Sequence, residues 1–512
     1  MRSRWFKHAI APALVLSACG GTDAAVTTST TPSTTTTSTI ADAIFTPQPG
    51  AGAPVVVDYN PTSSDAAALL FLLQHDGVRV DAITIPGTGE SHCESAVANT
   101  LGLLALVGKE GIPVACGSER PIAGSNDWPA DWRAAADELP GLALTAPGEP
   151  WPLSGPELLV AAVTQSPEPV KLLTLGPLTN VAEALALDPT LVTNLDSVYV
   201  MGGAVEAGGN VFANQYAEWN IWIDPAAAQV LIESGAPIVL VPLDATNDAP
   251  VTVGWVEQLG ETRATPAADA VFDLFSASPG VLQGGFYFWD ELAAAVLTDH
   301  TYVTLADATL TVVPDGPEQG WTKPDPDGIP VQVAVAADSF RLERDLISVL
   351  NGEGPLEVVA ADPQLVAYFT ELAEIDAVLQ TTLDQWFRDN EEAVDVLFEP
   401  ESADVEQVKE VLGSFTAMIM DGLRNDRDLT GAVVVPTVAA EAHQAYLEAV
   451  DAVLSREDEI FADIEALGPD DQEEVLGSAL FEAIGGVESA CLDLHALAGR
   501  EGIGVDLVCT GE

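Results

Sequence analysis

The run Val57-Asp58-Tyr59-Asn60-Pro61-Thr62-Ser63-Ser64-Asp65-Ala66 sets two carboxylates, an amide and several hydroxyls directly after three valines. Carboxylates gathered this way can take a proton from water, stabilise positive charge that develops in a reaction, or give oxygen ligands to calcium. Asn60 offers a carbonyl oxygen but accepts no proton near neutral pH. Three later segments have the same polar character. They are Leu175-Gly176-Pro177-Leu178-Thr179-Asn180-Val181-Ala182; the stretch from Val200-Met201-Gly202-Gly203-Ala204 through Gly209-Asn210 to Glu218-Trp219-Asn220-Ile221-Trp222-Ile223-Asp224-Pro225; and Phe288-Trp289-Asp290. A fifth, Gly87-Thr88-Gly89-Glu90-Ser91-His92-Cys93, adds a carboxylate and a histidine. Its Gly-x-Gly reads as a tight turn rather than a phosphate cradle, and a lone loop histidine is usually only solvated.

The elements that must carry these residues are legible as alternating apolar runs and helical stretches. Val55–Val57, Val80–Ile85, Val170–Leu175, Val198–Met201 and Ile238–Leu243 read as strands, with helices over Ala66–Leu73 and Ala96–Val107. Continuous apolar strands alternating with helices predict an α/β fold: a mostly parallel sheet with helices on both faces. In such folds the chemistry lies beyond the carboxyl ends of the strands, where Asp58, Gly87, Gly176, Gly202 and Asp244 fall. After Asn351-Gly352-Glu353-Gly354-Pro355 the pattern changes. Leu365, Phe369, Leu372, Val378 and Leu379 recur at helical spacing, as do Leu447 to Leu467 and Leu476 to Cys491, predicting an all-α C-terminal domain. The expected domains are residues 51–350 and 356–512.

The 512 residues carry 78 Asp plus Glu against 18 Lys plus Arg, a formal charge of −60. Such a chain repels phosphate backbones, so nucleic acid is not an expected partner. Arg2, Arg4 and Lys7 precede a short apolar stretch, Ala9–Leu16, and then Leu16-Ser17-Ala18-Cys19. This pattern resembles a signal peptide (residues 1–19) with the lipobox of bacterial lipoproteins, which implies export and a diacylglycerol anchor on Cys19 at the outer face of the cell membrane. Residues 20–50, Thr/Ser-rich from Thr27 to Thr39, predict a disordered tether. An exported chain permits disulfides: Cys491 with Cys509 is close in sequence, and Cys93 with Cys116 is a second possibility.

The four segments together, in order and spacing over roughly three hundred residues, resemble the inosine–uridine-preferring nucleoside hydrolase family. The resemblance implies hydrolysis of the N-ribosidic bond of a nucleoside to free base and ribose, through a transition state with positive charge on the sugar. It implies a calcium ion held at the positions of Asn60, Asp65, the Leu175 carbonyl and Asp290. It gives substrate contacts to Ser64, Thr88, Met201, Asn210, Glu218, Asn220 and Trp289, and catalytic roles to Asn60, Asp58 and Trp289. The Trp289-Asp290 pair is similar to purine-preferring members, in which an indole stacks on the purine. Two positions depart from the family pattern: Asn60 stands where a carboxylate is the expected base and calcium ligand, and Ser64 stands where a carboxylate contacts ribose. Both losses predict weaker calcium binding and impaired hydrolysis, with Asp58 or Glu90 left as substitute bases. The alternatives are a non-catalytic cell-surface protein that binds a nucleoside or ribose-like ligand, and a surface module acting through its helical domain. A homo-oligomer is compatible with either.

Overall fold

A computed structural model describes residues 45–356 (except 49, 146, 213 and 284), 362–390, 405–468 and isolated positions from 485 to 507. Cys19, its lipobox, the Thr/Ser run, Cys509 and the stripe from Leu476 to Ile484 lie outside the described residues. The described residues fall into two compact units, one over residues 45–356 and the other from residue 362 onward.

In the first unit, nine strands form one sheet in the order β3-β2-β1-β4-β5-β6-β9-β7-β8. They are β1 (Ala53–Asp58), β2 (Val78–Ile85), β3 (Val114–Cys116), β4 (Val170–Thr174), β5 (Leu195–Met201), β6 (Ile238–Val241), β7 (Val303–Val312), β8 (Thr322–Pro324) and β9 (Ile329–Ala337). All pairings from β3 to β9 are parallel, and β7 pairs antiparallel with both β9 and β8. The fold is therefore the mostly parallel α/β sheet that the apolar runs predict. Side chains alternate between its faces. Val55 and Val57 enter one core with the helices α1 (Ser63–Gln74) and α2 (Cys93–Leu106), while Val56 enters another with helices Gly155–Thr164 and Thr179–Leu187. Phe45 is buried in that second core and the Gln48 N–H donates to Asp81, so the packed unit starts inside the stretch expected to be tether.

Register brings the chemistry to one end. Asp58 is aligned with Thr84 of β2 and Thr174 of β4, each at or near its strand's carboxyl end. Asp244 lies just beyond the carboxyl end of β6, as expected, and there accepts the backbone N–H groups of Val205, Glu206 and Ala207, closing a loop.

The second unit is helical in its described parts: Pro363–Asp389, Val405–Thr430, Ala440–Leu454 and Glu457–Ala466. The stripe from Leu447 to Leu467 is thus two helices with a break at Ser455 and Arg456. Glu457, Asp458 and Glu459 open the second of them, where a helix's positive end favours acidic residues. Among the described residues, no helix is long and apolar enough to cross a membrane.

Candidate active site

The first wall of the site is the turn from β1 into α1. Asp58 is fully buried; its Oδ1 accepts the Thr84 hydroxyl (2.6 Å) and the Asn180 amide (2.7 Å). Its Oδ2 is buried without a partner. Asp58 therefore ties β1, β2 and the helix that follows β4 beneath the site. Asp65 closes the turn on itself. Its oxygens accept the Asn60 backbone N–H (3.1 Å), both contacts from Asn60 Nδ2 (3.2 Å each) and the Thr62 hydroxyl (2.7 Å). The Asn60 amide is fixed from its other side by the Glu90 N–H, which donates to Oδ1 at 2.7 Å. Asn60 thus turns N–H groups, not its oxygen, towards Asp65.

The segment from Gly87 to Glu90 lies directly against this turn. A Cβ on Gly89 would stand 2.3 Å from the Asn60 Cβ, so only glycine fits there. Thr88 is buried; its hydroxyl bonds that of Thr179 (2.8 Å) and its carbonyl accepts the Trp128 indole N–H. The segment is pinned at its far end by the Cys93–Cys116 disulfide, which joins the start of α2 to the end of β3. Cys491 is also disulfide-bonded. His92 is exposed and paired with Asp137 (2.7 Å).

The start of the helix Trp289–Thr298, here α3, completes this wall. Ser64 accepts the Asp290 N–H (3.4 Å) and donates to Glu291 Oε2 (2.7 Å). Glu291 is 1% exposed. Asp290 Oδ1 and Glu291 Oε1 are buried with no hydrogen-bond partner. Spacing in the sequence gave no signal for Glu291, because what places it at the site is a hydrogen bond between residues 227 positions apart.

The second wall comes from the ends of β4 and β5 and the short helix Trp219–Ile223. Glu218 caps that helix: its oxygens accept the backbone N–H groups of Asn220 (2.9 Å), Ile221 (3.2 Å) and Gly203 (3.0 Å). Asn220 Nδ2 donates to the carbonyls of Leu175 (3.1 Å) and Met201 (3.3 Å) and contacts the Met201 sulfur. Asn210 is exposed, and its Oδ1 accepts the Trp219 N–H. Electrostatics join the two walls, since Asp65, Glu291 and Glu218 all act on Asp290.

Burial sets the proton affinity of this cluster. It pushes Asp58, Asp65 and Glu218 up to about 7 against their own hydrogen bonds. Glu291 rises to about 8, first from burial and then from the Asp65 charge. Glu90 rises to about 7 for the same two reasons, opposed by Arg133. Asp290 is raised well above the usual range by burial, then by repulsion from Asp65 and Glu291.

Aromatic side chains flank both walls. Half-buried Trp289 packs against Phe286 and Tyr287 at centroid distances of 5.0 and 5.7 Å. Beside Glu218 and Asn220, Trp219 stacks on Trp128 (4.9 Å, 17°) and meets Trp132, Trp222 and the exposed Phe212. Trp128 and Trp132 carry no motif in the sequence, and only the fold brings them to Trp219.

Residues 55–344 match the family described as inosine-uridine preferring nucleoside hydrolase. The chain belongs to that family. It is similar to a Photobacterium profundum protein named pyrimidine-specific ribonucleoside hydrolase RihA, at 35% identity over 222 residues, 43% of this chain and 70% of the relative. Among solved structures, it is similar to a plant nucleoside hydrolase (28% identity, 59% of this chain, 99% of that chain, TM-score 0.54). An inosine–uridine preferring nucleoside hydrolase from Bacillus anthracis is similar to the same extent (28% identity, 59% and 99% coverage, TM-score 0.53).

Proposed function

We propose that the α/β unit hydrolyses the N-ribosidic bond of purine nucleosides, slowly, to free base and ribose. The observation that carries this reading is the intact second wall: Glu218, Asn220 and Asn210 are held by backbone hydrogen bonds beside a cluster of carboxylates suited to a cationic sugar. Purine preference rests on Trp289, half-buried and braced by Phe286 and Tyr287, which offers a ring face to a large base. The relatives named above include a pyrimidine-specific enzyme, so the test is a comparison of kcat/KM for inosine and guanosine with that for uridine and cytidine. A higher value for the purines supports the reading, and a higher value for the pyrimidines refutes the preference.

Calcium fits part of the site. Asp65 and Asp290 supply carboxylate oxygens, one of them orphaned, and Leu175 supplies a carbonyl, all suited to a hard cation. Asn60 would join them only through its Oδ1, which already accepts the Glu90 N–H, since its Nδ2 faces Asp65. Among the described residues, no three Asp, Glu, His or Cys side chains converge on a metal position. Weak binding follows from so few anionic ligands. Calcium held by Asp65, Asp290 and the Leu175 carbonyl would supply a Lewis acid to the site.

A second reading is favoured by the same turn. The Asn60 amide and the Ser64 hydroxyl already occupy Asp65 and Glu291, which suits a protein that binds a nucleoside without cleaving it. Base release from bound nucleoside separates the two readings. Anchoring at the outer membrane face through Cys19 is a proposal supported by Leu16-Ser17-Ala18-Cys19. The exchange Cys19→Ala should release the protein from the membrane fraction, and a wild-type chain found wholly in the medium refutes the anchor.

A further inference from the structure

Hydrolysis needs a group that takes a proton from the attacking water, and an amide at position 60 cannot. The carboxylates around the site differ in how far they are already committed. Asp58 is fully buried under the strand ends. Asp65 accepts hydrogen bonds from Asn60 and Thr62. Glu218 accepts three backbone N–H groups. Asp290 and Glu291 each keep one oxygen without a partner, but both are buried, Glu291 is held by Ser64 through its other oxygen, and Asp290 is crowded by the Asp65 and Glu291 charges. Glu90 is half-buried, and its side chain accepts no hydrogen bond among the described residues.

The backbone sets Glu90 directly on the altered position. Its N–H donates to Asn60 Oδ1 at 2.7 Å, and Gly89 allows the two chains to touch. Arg133, itself buried, holds the start of this segment by donating to the Gly87 carbonyl, and its charge opposes that of Asp65 on Glu90. Thr88 and the Cys93–Cys116 disulfide fix the rest of the segment. The Glu90 backbone thus lies against the Asn60 amide, and the Glu90 carboxylate is near enough to Asp65 and Arg133 to feel both charges.

We propose that Glu90 is the general base of this hydrolase, supplying from the neighbouring segment the proton acceptor absent at Asn60. The assignment rests on the hydrolase reading above. In the step, the Glu90 carboxylate takes a proton from water as the water oxygen bonds to the ribose C1′. The C1′–N bond breaks with its electron pair leaving on the base. The base gains a proton from solvent, and Glu90 returns its own to solvent.

The test uses the full chain, inosine as probe, and kcat and KM measured separately. Glu90→Gln should lower kcat by about a hundred- to ten-thousand-fold and leave KM within a small factor. Adding Asn60→Asp to that variant should recover a large part of the loss. The variant Glu90→Ala should recover activity with added formate, a check that holds even where the glutamine variant folds poorly. Wild-type kcat in Glu90→Gln, or no recovery in either rescue, overturns the assignment and leaves the hydrolase reading standing. A wild type that cleaves no nucleoside overturns both.

Discussion

On the wall built from β4, β5 and the helix Trp219–Ile223, Glu218 places its oxygens on three backbone N–H groups and Asn220 bridges two strand-end carbonyls. On the wall built from β1, α1 and α3, Asp58, Asp290 and Glu291 each leave a buried oxygen without a partner. Both walls are buried and acidic, yet one is satisfied by the protein itself and the other is not. A satisfied carboxylate is preorganised for its ligand and stabilises the fold. An unsatisfied one costs stability until a proton, cation or ligand reaches it. The difference places the satisfied polar groups on the second wall and the unmet charge on the first.

The largest expected effect breaks the satisfied wall. Glu218→Ala strands three backbone N–H groups. At roughly 1–3 kcal/mol for each buried unsatisfied group, the loss should be about 3 kcal/mol or more, and nucleoside binding should vanish with it. Chemical denaturation and calorimetric titration measure the two. A variant as stable as wild type would mean the wall is not held in this way.

The second effect sharpens the contrast through pH. Carboxyls whose folded affinity is raised to about 7 (Asp58, Asp65) or about 8 (Glu291), above their unfolded values, hold more protons folded than unfolded. Their stabilising contribution is complete below the unfolded range and is lost as pH rises through 7 to 8. In chelator, Tm should therefore fall between pH 5 and pH 8. Added calcium should raise Tm more at pH 8 than at pH 5, since metal binding displaces protons. A Tm that rises with pH in chelator contradicts the account.

Much of this architecture is legible in the sequence. Three valines ending in Asp58, and apolar runs alternating with helical ones, determine a parallel sheet with polar residues at its carboxyl ends, because local pattern and burial agree there. The polar motifs were legible too, since each lies within a short stretch of chain. The alternatives to a calcium ligand set were not. That Asn60 turns its Nδ2 to Asp65 depends on the Glu90 N–H, thirty positions away. The capture of Glu291 by Ser64 depends on two helices meeting. The helix break at Ser455 and Arg456 also escaped a reading by apolar periodicity, because the stripe continues through it.

The smallest effect concerns that Ser64 contact. Ser64→Ala removes the hydroxyl donor to Glu291 and should cost about 1 kcal/mol. Placing Glu291→Gln in the same background should remove the Glu291 share of the pH 8 penalty by deleting its buried charge, leaving the shares of Asp58 and Asp65. Denaturant midpoints for the single and double variants measure the coupling, and fully additive values would show that the two side chains do not work as a pair.

The most direct measurement of the central claim is the fate of a bound nucleoside. The full chain is incubated with inosine and excess calcium, and hypoxanthine and ribose are quantified by chromatography over many enzyme equivalents. Slow, multiple-turnover release of both products in equal amounts is expected, and Asp290→Ala should abolish it. Inosine recovered intact from a protein whose Tm it raises would contradict it, and would make the cleft a binding site alone.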